Sequence, residues 1–491
     1  MIFLELALII ATALIVCFLA KYYIHMLQLE GYFIGQYARH LFARIRKPSL
    51  FKNVAVKKPL VYTARVKRLY VTLFLLTIAL GSIFVFLIPN HFNFIVLVVL
   101  LLLTSLLVLL ASIIALPIEK IIAFWYISDA KARLKASPDL KIIAITGSYG
   151  KTSTKFILST ILSEKFAVLT PPSSYNTTMG VVRVVREQLQ DEDEIFICEM
   201  GARHMGDIAE ICAFVKPDMA IITSIGPQHL ETFGSIEGVR DAKFELIEAL
   251  PKDGIAIFAN DNEFSKQMFD KTHCNKYLIG ISNSENVQEN LLLRADNITV
   301  GSSGSAFTLV TNDGNSTECA TRMLGEHNIM NILLACAAAL KLGMTLQEIA
   351  RGISKLKSVE HRLDIVSSYP ITVIDDAFNS SPFGAKAALK VLKSFIGRRI
   401  IVTPGFVELG DKQEEYHFEL GKQIAQSADI AILVGKRRTA SIAKGILEEG
   451  FNNKNLYILD SLAEASELIN KIGVVGDVVL FENDLPDNFN E

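Results

Sequence analysis

Three long apolar stretches stand out in the first quarter of the chain. Residues 2–20, 69–88 and 92–117 contain one charged side chain between them, Glu5. Each stretch reaches the roughly 20 residues that a helix needs to cross about 30 Å of hydrocarbon. The pattern therefore predicts three membrane-spanning helices. Two other interpretations stay open: a buried core helix and, for the first stretch, a cleaved signal peptide, although no basic residues precede it and more apolar sequence follows.

The charged residues between these stretches predict the orientation. Eleven Lys and Arg but a single acidic residue, Glu30, lie between the first and second stretches, and the connection 89–91 carries neither Lys nor Arg. Basic residues concentrate on the cytoplasmic side of membranes. We therefore expect a multi-pass protein of the inner (cytoplasmic) membrane, with the basic loop and everything after residue 117 in the cytoplasm. The basic loop either binds anionic lipid head groups or only sets the topology.

Short apolar runs alternate with helical patterns after residue 141. Candidate strands are 142–145, 194–198 and 219–223, and candidate helices include 155–163 and 206–214. This alternation is typical of an α/β fold, in which a mostly parallel sheet has helices on both faces. A polar stretch rich in Asn, Ser and Gly, 282–316, predicts short strands and turns.

A second series of strands indicates a further domain. Its candidate strands are 371–374, 400–403, 430–434 and 478–481. With a joint near residues 362–368, the chain divides into a membrane region at 1–137, a central domain at 138–363 and a C-terminal domain at 364–491. A length of 491 residues agrees with about three domains.

Composition narrows the class of protein. Hydrophobic residues make up 51% of the chain, charged residues make up 20%, and the mean hydropathy is +0.36. These values exclude a disordered chain, collagen and a coiled coil. The net charge of −2 gives no reason to expect a nucleic-acid partner. Six scattered cysteines without a C-x-x-C pair argue against a disulfide scaffold and a cysteine zinc site.

A glycine-rich segment follows the first candidate strand and leads into a helix. It reads Thr-Gly-Ser-Tyr-Gly-Lys-Thr over residues 146–152, a shortened variant of the phosphate-binding loop, because position 145 is Ile. The glycines let backbone N–H groups surround phosphates, Lys151 can reach the terminal phosphates, and the Thr152 hydroxyl can bind Mg²⁺. The segment predicts nucleotide binding. The alternative is a glycine-rich turn without a ligand.

Two more polar residues follow strands, at the edge where α/β sheets bind ligands. Glu199 directly follows the candidate strand 194–198, and His229 follows the next candidate strand. Beside a phosphate loop, Glu199 is a candidate metal ligand, and His229 is a candidate metal ligand or phosphate contact. Each also has an ordinary structural interpretation, a helix cap for Glu199 and a structural histidine for His229.

Seven motifs in order give the chain a resemblance to the Mur ligase family over about residues 140–470. They are Thr146–Thr152, Glu199–Ala202, His229–Ser235, Asp241–Glu245, Gly325–Asn331, His361-Arg362 and Asp375–Asn379. The resemblance implies a central ATP-binding domain, a Rossmann-like C-terminal domain and an ADP-forming ligase. Such a ligase adds an amino acid or dipeptide to a cell-wall (peptidoglycan) precursor. The motifs are nearest to the branch of the family that adds D-alanyl-D-alanine.

The resemblance also implies roles for individual residues. ATP would be held by Gly147, Ser148, Tyr149, Gly150, Lys151, Thr152 and Ser153, with Asn328 at adenine and Arg362 and Asp376 reaching the nucleotide. Mg²⁺ would be held by Thr152, Glu199, His229 and Lys243, the last as a carbamate. Lys151, Lys243, His229 and Glu199 would be the catalytic residues. Lys243 is otherwise an exposed helix lysine, and Arg362 and Asp376 are otherwise surface charges.

Two loops would contact the substrates. Asn176 and Thr177 would lie near the carboxylate, and Asn379 and Glu408, the latter in the loop 403–410, near the incoming amine. Ordinary turn chemistry is the alternative for both loops.

Phosphorylation of the carboxylate by ATP would give an acyl phosphate, which the amine attacks. Mg²⁺ and Lys151 would neutralise the charge of the transferring phosphoryl group. A cleft that closes between domains would bring the substrates together.

Three features depart from the family. Apolar helices stand where the family usually has a soluble domain for the UDP-sugar, which makes a lipid-linked acceptor and contact with membrane lipid attractive. Ser153 stands where a second Thr is common. The segment 481–487 is acidic where D-alanyl-D-alanine ligases usually have Lys-Gly-Ser, so the amine stays open.

Three other functions are kept as alternatives. One is a membrane-bound ligase of poly-γ-glutamate or another amino-acid chain, and another is a non-catalytic nucleotide-binding scaffold for wall synthesis. A transport ATPase is the third, and the nearly uncharged spans disfavour it.

Overall fold

The computed structural model describes residues 2–35, 37–38, 41, 59–87, 93–172, 174–282, 291–301, 304–378 and 380–484. They form two compact units, one within residues 1–126 and one within residues 127–485. Three predicted features lie outside the described residues: Asn379, most of the basic loop, and residues 485–487 of the acidic segment.

Helices make up the N-terminal part of the chain. They are α1 (Ile2–Leu29), α2 (Ala64–Leu87), α3 (Asn93–Leu102) and α4 (Thr104–Ala136). Within the described ranges, three helices are long and apolar enough to cross a membrane, over Glu5–Leu29, Ala64–Phe84 and Thr104–Ala136. The first two agree with the predicted stretches. The third differs, because the run 92–117 is divided at Leu103 and α4 continues through Pro117 to Ala136.

The course of α4 has a local explanation. Hydropathy placed the end of the span at Pro117, where charged residues begin to appear. No further Pro or Gly occurs before residue 137, so the residues that follow continue the helix. A proline inside a helix removes one backbone hydrogen bond without necessarily ending it.

The first unit buries small and branched side chains between its helices. Val16, Ala20, Leu73 and Val108 belong to one buried cluster. Large apolar side chains point outward on the same helices, such as Phe18, Leu75 and Ile121, which are 80%, 59% and 69% exposed. An apolar outer surface of this kind is unfavourable in water and suits hydrocarbon surroundings.

The second unit contains a nine-stranded sheet in the order β2-β3-β1-β4-β5-β6-β7-β8-β9. The strands are β1 (Lys141–Thr146), β2 (Val168–Leu169), β3 (Ile195–Glu199), β4 (Met219–Ile222), β5 (Ile255–Ala259), β6 (Asn275–Ile281), β7 (Leu293–Gly301), β8 (Gly304–Thr311) and β9 (Ser316–Thr321). Pairing is parallel from β2 to β7 and antiparallel from β7 to β9.

Helices cover both faces of this sheet. They are α5 (Lys151–Leu162), α6 (Thr178–Glu187), α7 (Asp207–Val215), α8 (Leu230–Phe233), α9 (Ile236–Glu248), α10 (Glu263–Lys271), α11 (Glu326–Lys341) and α12 (Leu346–Ser354). Ile143 and Ile145 of β1 pack with Leu158 of α5 and Leu333 of α11 in one core. Alternate residues of a strand face opposite sides of the sheet, so both faces of β1 carry side chains. Helix α9 contacts β1 and β4.

A six-stranded sheet follows, in the order β10-β11-β15-β12-β13-β14. The strands are β10 (Asp364–Ser367), β11 (Thr372–Asp376), β12 (Arg399–Thr403), β13 (Ile430–Val434), β14 (Leu456–Leu459) and β15 (Val478–Glu482). The helices are α13 (Pro382–Lys393), α14 (Gln413–Ser427), α15 (Ala440–Glu448) and α16 (Leu462–Ile472), with short 3₁₀ turns at Gly410–Lys412 and Asn453–Asn455. Only the β10–β11 pair is antiparallel among these strands as described.

Side chains alternate between the two faces of the central strands, so the hydrophobic core of the second sheet consists of two separate clusters. Ile401 and Leu480 pack in a cluster with Leu389 of α13, whereas Ile400 and Val479 pack in a separate cluster with residues of α16. The predicted strands are all present, with each end within two residues of its expected place. The chain therefore has the predicted α/β fold with mostly parallel sheets.

Parallel pairing brings the candidate chemistry to one edge of the first sheet. Ile145 of β1 lies opposite Glu199 of β3 and Ile221 of β4. The segments that leave the carboxyl ends of these three strands therefore start side by side. These segments contain the glycine-rich loop and His229, and Glu199 is the last residue of β3.

Candidate functional site

Two glycines shape the loop between β1 and α5. Gly147 has a φ of 151° and Gly150 a φ of 78°, which L-residues rarely adopt. A Cβ atom on Gly147 would lie 1.9 Å from Thr223 Oγ1, and one on Gly150 would lie 2.4 Å from Asn331 Oδ1. Both positions therefore require glycine, for the backbone path and for the close approach to neighbouring segments.

Side chains of the loop fix it to its surroundings. Ser148 Oγ accepts a hydrogen bond from Gly226 N and donates one to Gly226 O, both at 3.0 Å. The Tyr149 hydroxyl donates to Pro227 O at 2.7 Å. The Tyr149 ring stacks on Phe383 of α13, with ring centres 5.6 Å apart and planes 4° from parallel. The loop thus contacts the helices of the second sheet.

Lys151 begins α5 and folds back over the loop. Its Nζ donates to Gly147 O at 2.6 Å and to Ser148 O at 3.3 Å. Burial lowers the pKa of Lys151 to about 8, the charge of Glu199 opposes this change, and the charge of Arg362 adds to it. Carbonyl oxygens partner an ammonium without neutralising it, so the loop favours an anion beside Lys151.

Glu199 is buried and has partners on three sides. Thr152 Oγ1 donates to its two carboxylate oxygens at 3.1 and 3.2 Å, and Asn176 Nδ2 donates to Oε1 at 3.1 Å. Lys155 Nζ lies 3.3 Å from Oε2, and both charged side chains are excluded from solvent. The contacts fix the orientation of the carboxylate beside the start of α5.

Lys155 is a residue that the sequence analysis missed. A lysine in an amphipathic helix ordinarily faces water, and residue type alone gave no reason to select it. The one available signal was its spacing, because residues four apart in a helix lie on the same face. Lys151 and Lys155 therefore point toward the same edge of the sheet.

His229 and Glu408 meet although they are 179 residues apart in the chain. His229 Nδ1 is hydrogen-bonded to Glu408 Oε2, and Arg203 Nη2 lies 3.7 Å from Glu408 Oε1. Burial lowers the pKa of His229, and the contact with Glu408 opposes that effect. Burial alone would raise the pKa of Glu408, but the hydrogen bond with His229 and the charges of His229 and Arg203 bring it below its usual value.

Lys243 lies inside the protein, on α9. Its side chain is 1% exposed, and its ammonium has no hydrogen bond or ion pair in the described part of the chain. Burial lowers the pKa of Lys243 well below its ordinary value, and the charge of Lys151 lowers it further. The alternative of an exposed helix lysine is therefore wrong.

Asn328 is buried near the start of α11 and is linked to α5 through its neighbours. Its Nδ2 donates to Leu324 O at 2.9 Å, and its Oδ1 accepts from Asn331 Nδ2 at 3.3 Å. Asn331 Oδ1 in turn accepts from Thr154 Oγ1 at 3.2 Å. Ser153 is buried on α5 beside this chain of contacts.

Arg362 and Asp376, near the joint between the two domains, interact electrostatically with each other, and Arg362 also interacts with Glu199. The guanidinium carbon of Arg362 lies 4.3 Å from the centre of the Phe378 ring. Burial lowers the pKa of Arg362, and the charges of Asp376 and Glu199 oppose that effect. Burial raises the pKa of Asp376 to about 6, with Arg362 acting in the opposite direction. The Leu363 backbone N–H donates to Asp376 Oδ1 at 3.2 Å.

Asn176 and Thr177, the two residues predicted near the substrate carboxylate, make different contacts. Asn176 joins the Glu199 contacts. Thr177 is the N-cap of α6, where its Oγ1 accepts from Gly180 N at 3.3 Å. The turn interpretation therefore describes Thr177, whereas Asn176 lies with the candidate chemistry.

The oxygen atoms of Glu199 and Thr152 supply part of the coordination that a Mg²⁺ ion needs. Within the described residues, no group of three or more His, Cys, Asp or Glu side chains could hold a metal ion. Glu199 offers a single carboxylate next to the Thr152 hydroxyl. Mg²⁺ usually keeps several waters and takes one or two carboxylates together with substrate phosphates. These residues therefore fit a Mg²⁺ ion that binds with a nucleotide.

Sequence comparisons match the part of the chain that contains this site. Residues 145–339 match the Mur ligase middle domain, and residues 361–482 match the Mur ligase, glutamate ligase domain. The UDP-N-acetylmuramoyl-tripeptide--D-alanyl-D-alanine ligase of Escherichia coli (strain K12) is 34% identical over 65% of this chain and 70% of that protein. The enzyme of the same name from Bacillus subtilis (strain 168) is 28% identical over 70% of this chain and 72% of its own length.

Solved structures have the same fold over this region. A crystal structure of MurF from Acinetobacter baumannii covers 74% of this chain and 77% of its own, with a TM-score of 0.66 and 28% identity. MurF ligase from Thermotoga maritima, solved in complex with ADP, covers 74% of this chain and 80% of its own, with a TM-score of 0.65 and 23% identity.

Proposed function

We propose that this chain, which belongs to the Mur ligase family and is an ATP-dependent, ADP-forming acid–amino-acid ligase, adds D-alanyl-D-alanine to a muramoyl-peptide precursor of peptidoglycan. In this proposal residues 138–363 form the ATP-binding domain with a phosphate loop at 146–152, and residues 364–491 form a Rossmann-like domain that receives the amine.

One observation carries the proposal: Thr152, which follows Lys151 in the chain, is hydrogen-bonded to Glu199. Thr152 Oγ1 donates to Glu199, while Lys151 Nζ is held by loop carbonyl oxygens. A cation for phosphates beside a hydroxyl and a carboxylate for Mg²⁺ is the combination that phosphoryl transfer from ATP requires. A glycine-rich turn without a ligand has no need of either group.

The first half of the reaction makes an acyl phosphate. The backbone N–H groups of the loop bind the ATP phosphates, and Lys151 replaces its carbonyl partners by phosphate oxygens. The precursor carboxylate, oriented near Asn176, attacks the γ-phosphorus. The bond from this phosphorus to the β–γ bridging oxygen breaks, and ADP leaves. Lys151 neutralises the negative charge that the transferring group carries.

The second half makes the amide. The neutral amine of the dipeptide attacks the acyl carbon, loses a proton, and expels inorganic phosphate. We place the amine near the loop that contains Glu408. Because Glu408 is hydrogen-bonded to His229, this placement links the amine side of the cleft to the nucleotide side and holds the two reacting groups close together.

Thr152, Glu199, His229 and a carbamylated Lys243 are the residues that would hold Mg²⁺. Bound there, the ion would supply positive charge for phosphoryl transfer. Lys243 suits carbamylation because its buried amine has a lowered pKa, and the neutral amine is the form that adds to CO₂. Asn328, Arg362 and Asp376 are proposed contacts of the nucleotide.

We further propose that α1, α2 and α4 anchor the enzyme in the cytoplasmic membrane, with the ligase domains in the cytoplasm. The support is the length and apolar character of the three helices and the basic loop of the sequence. An enzyme fixed at this surface would meet a lipid-linked precursor directly, so the proposed acceptor is lipid-linked.

The test is a product assay on the full chain purified in detergent. The reaction contains ATP, Mg²⁺, D-alanyl-D-alanine and either the UDP-linked or the lipid-linked muramoyl tripeptide, and both ADP and the acceptor mass are measured. We expect a mass gain on the lipid-linked acceptor. Lys151→Ala should abolish it, while the exposed Lys271→Ala should not.

Each other result changes the proposal in a defined way. A gain on the UDP-linked acceptor alone would overturn the lipid-linked part and keep the ligase. ATP turnover without a gain on either acceptor would favour poly-γ-glutamate or another amino-acid chain as the product. The absence of nucleotide turnover would leave a nucleotide-binding scaffold for wall synthesis.

A further inference from the structure

Three helices of the first unit bring charged and aromatic side chains to one end of the predicted spans. Arg65 and Arg68 lie in the first two turns of α2, and Glu119 follows Pro117 on α4. Tyr32 lies three residues beyond the end of α1. Each of these positions lies at the end of a span that the positive-inside rule assigns to the cytoplasm.

The two arginines are used differently. Arg68 Nε and Nη2 donate to the two oxygens of Glu119 at 2.6 and 2.7 Å, a bidentate ion pair that satisfies the carboxylate. Arg65 Nε lies 3.9 Å from Glu119, and its guanidinium makes no hydrogen bond in the part of the chain that is described. One carboxylate therefore faces two cations, and the uncompensated positive charge belongs to Arg65.

Arg65 is held in position by an aromatic ring. Its guanidinium carbon lies 3.9 Å from the centre of the Tyr32 ring, a stacking geometry that leaves the N–H donors at the edge of the guanidinium available. Gln28 holds the segment just before α2 in place. Its side-chain amide donates to Val61 O and accepts from Val61 N, both at 2.9 Å.

Arg65 borders a small pocket between the helices. Tyr32, Leu69, Ser112, Leu116 and Glu119 line it with Arg65. The lining thus combines the polar groups of Arg65, Tyr32, Ser112 and Glu119 with the apolar side chains of Leu69 and Leu116. A ligand that matches it has an anionic group next to an apolar body.

We propose that this pocket binds the phosphate of an anionic membrane lipid, with Arg65 as the residue that contacts it. Guanidinium groups bind phosphate oxygens through paired N–H donors, and basic pockets between membrane helices on the cytoplasmic side bind anionic head groups. Arg68 positions Glu119 and does not contact the phosphate. This inference rests on the proposed membrane insertion of the chain and adds a lipid class to it.

A lipid bound by Arg65 in this pocket differs from a general attraction of basic residues to anionic membranes. General attraction depends on the number of charges near the surface and affects Arg65 and its neighbours equally. Lys67 lies in the same turn of α2 and is exposed. Lys67→Gln therefore removes the same charge at the same depth without altering the pocket, and it is the matched control for Arg65→Gln.

The experiment is native mass spectrometry of the full chain in detergent, titrated with phosphatidylglycerol or phosphatidylcholine. We expect one phosphatidylglycerol molecule to be retained in preference to phosphatidylcholine. Arg65→Gln should weaken this retention about tenfold, as expected for the loss of a charge-assisted contact, and Lys67→Gln should not. Arg65→Lys, which keeps the charge but loses the fork of donors, should retain an intermediate affinity.

The outcomes separate the possible failures. Extraction of the chain from membranes by alkaline carbonate would overturn the proposed insertion itself. Equal losses in Arg65→Gln and Lys67→Gln, or equal retention of the two lipids, would overturn the pocket while the chain stays a membrane protein. Displacement of the lipid by glycerol 1-phosphate at the same concentration would assign the pocket to a soluble phosphate. Ligase activity in detergent should be the same in the Arg65 variants and the parent chain.

Discussion

Lys155 Nζ lies 3.3 Å from Glu199 Oε2, and neither side chain is accessible to solvent. Lys155 is one helical turn after Lys151, and Glu199 is the last residue of β3. A buried ion pair loses the hydration of both charges, and removal of one partner leaves the other charge uncompensated. Lys155 therefore acts as a positioning residue, which holds the carboxylate of Glu199 toward Thr152.

Replacement of Lys155 tests this role. Lys155→Met should lower the free energy of unfolding by about 3–5 kcal/mol, because Glu199 would then be buried without a cation. Mg²⁺ should restore part of the loss, since a divalent ion near Glu199 replaces the missing charge. Thermal unfolding with and without Mg²⁺ measures both effects. Lys271→Met, at an exposed lysine of α10, is the control, and equal melting temperatures for the two variants would contradict the role.

Gly150 can be compared with Gly450, a glycine that has the same φ. Gly150 and Gly450 both have a φ of 78°, but only Gly150 has an atom within 4 Å of a Cβ, Asn331 Oδ1 at 2.4 Å. Gly450→Ala should cost roughly 1–2 kcal/mol of stability from the left-handed backbone. Gly150→Ala should in addition displace Asn331 and reduce ATP affinity at least about tenfold. Isothermal titration with ATP measures the difference, and unchanged affinity in Gly150→Ala would show that the close approach is unimportant.

The stacked pair Tyr149 and Phe383 joins the glycine-rich loop to α13. Aromatic pairs of this kind contribute about 0.5–1.5 kcal/mol beyond the area that they bury. Phe383→Leu should therefore raise the KM for ATP by a factor of about 2–10, because the loop loses a contact that holds it. Tyr369→Leu is the control, since Tyr369 is 78% exposed. A change in kcat alone, with the KM for ATP unaltered, would contradict this expectation.

Glu482 predicts a pH dependence of stability. It is fully buried, Thr403 Oγ1 donates to it at 2.6 Å, and Ser380 Oγ donates to its other oxygen. Burial raises the pKa of Glu482 to about 8 from an ordinary value near 4.5. Between these two pH values the folded state binds more protons than the unfolded state, so stability falls as pH rises through this window.

Glu482→Gln should remove this loss, because glutamine stays neutral and can bond both hydroxyls. The variant should match the parent chain near pH 5 and exceed it by about 4 kcal/mol near pH 8.5. Melting temperatures across this range measure the effect, and the exposed Glu467→Gln should follow the parent chain. A difference that is constant with pH would show that Glu482 is ionised in the folded protein throughout.

Local sequence patterns determined the elements of the fold. The runs 142–145 and 430–434 became β1 and β13 because four or five apolar, mostly β-branched residues form a strand buried on both faces. The positions of Gly147, Gly150 and Lys151 predicted the loop, because its backbone path depends on residues that are adjacent in the chain. Hydropathy located three helices that are long and apolar enough to cross a membrane, but it placed the end of the third at Pro117. The reason is that hydropathy measures the polarity of residues and not the continuity of a helix.

Tertiary structure decided which side chains meet. The contact between His229 and Glu408 spans 179 residues, and no periodicity relates positions that far apart. Burial of Lys155 and Lys243 was likewise invisible in the sequence, because a helix lysine is exposed or buried according to what packs against that face. The sequence by itself thus determined the strands, the helices and the glycine-rich loop, which depend on neighbouring residues. Only the folded chain decided the partners of Glu199, Glu408 and Arg65, because such contacts depend on how distant segments pack.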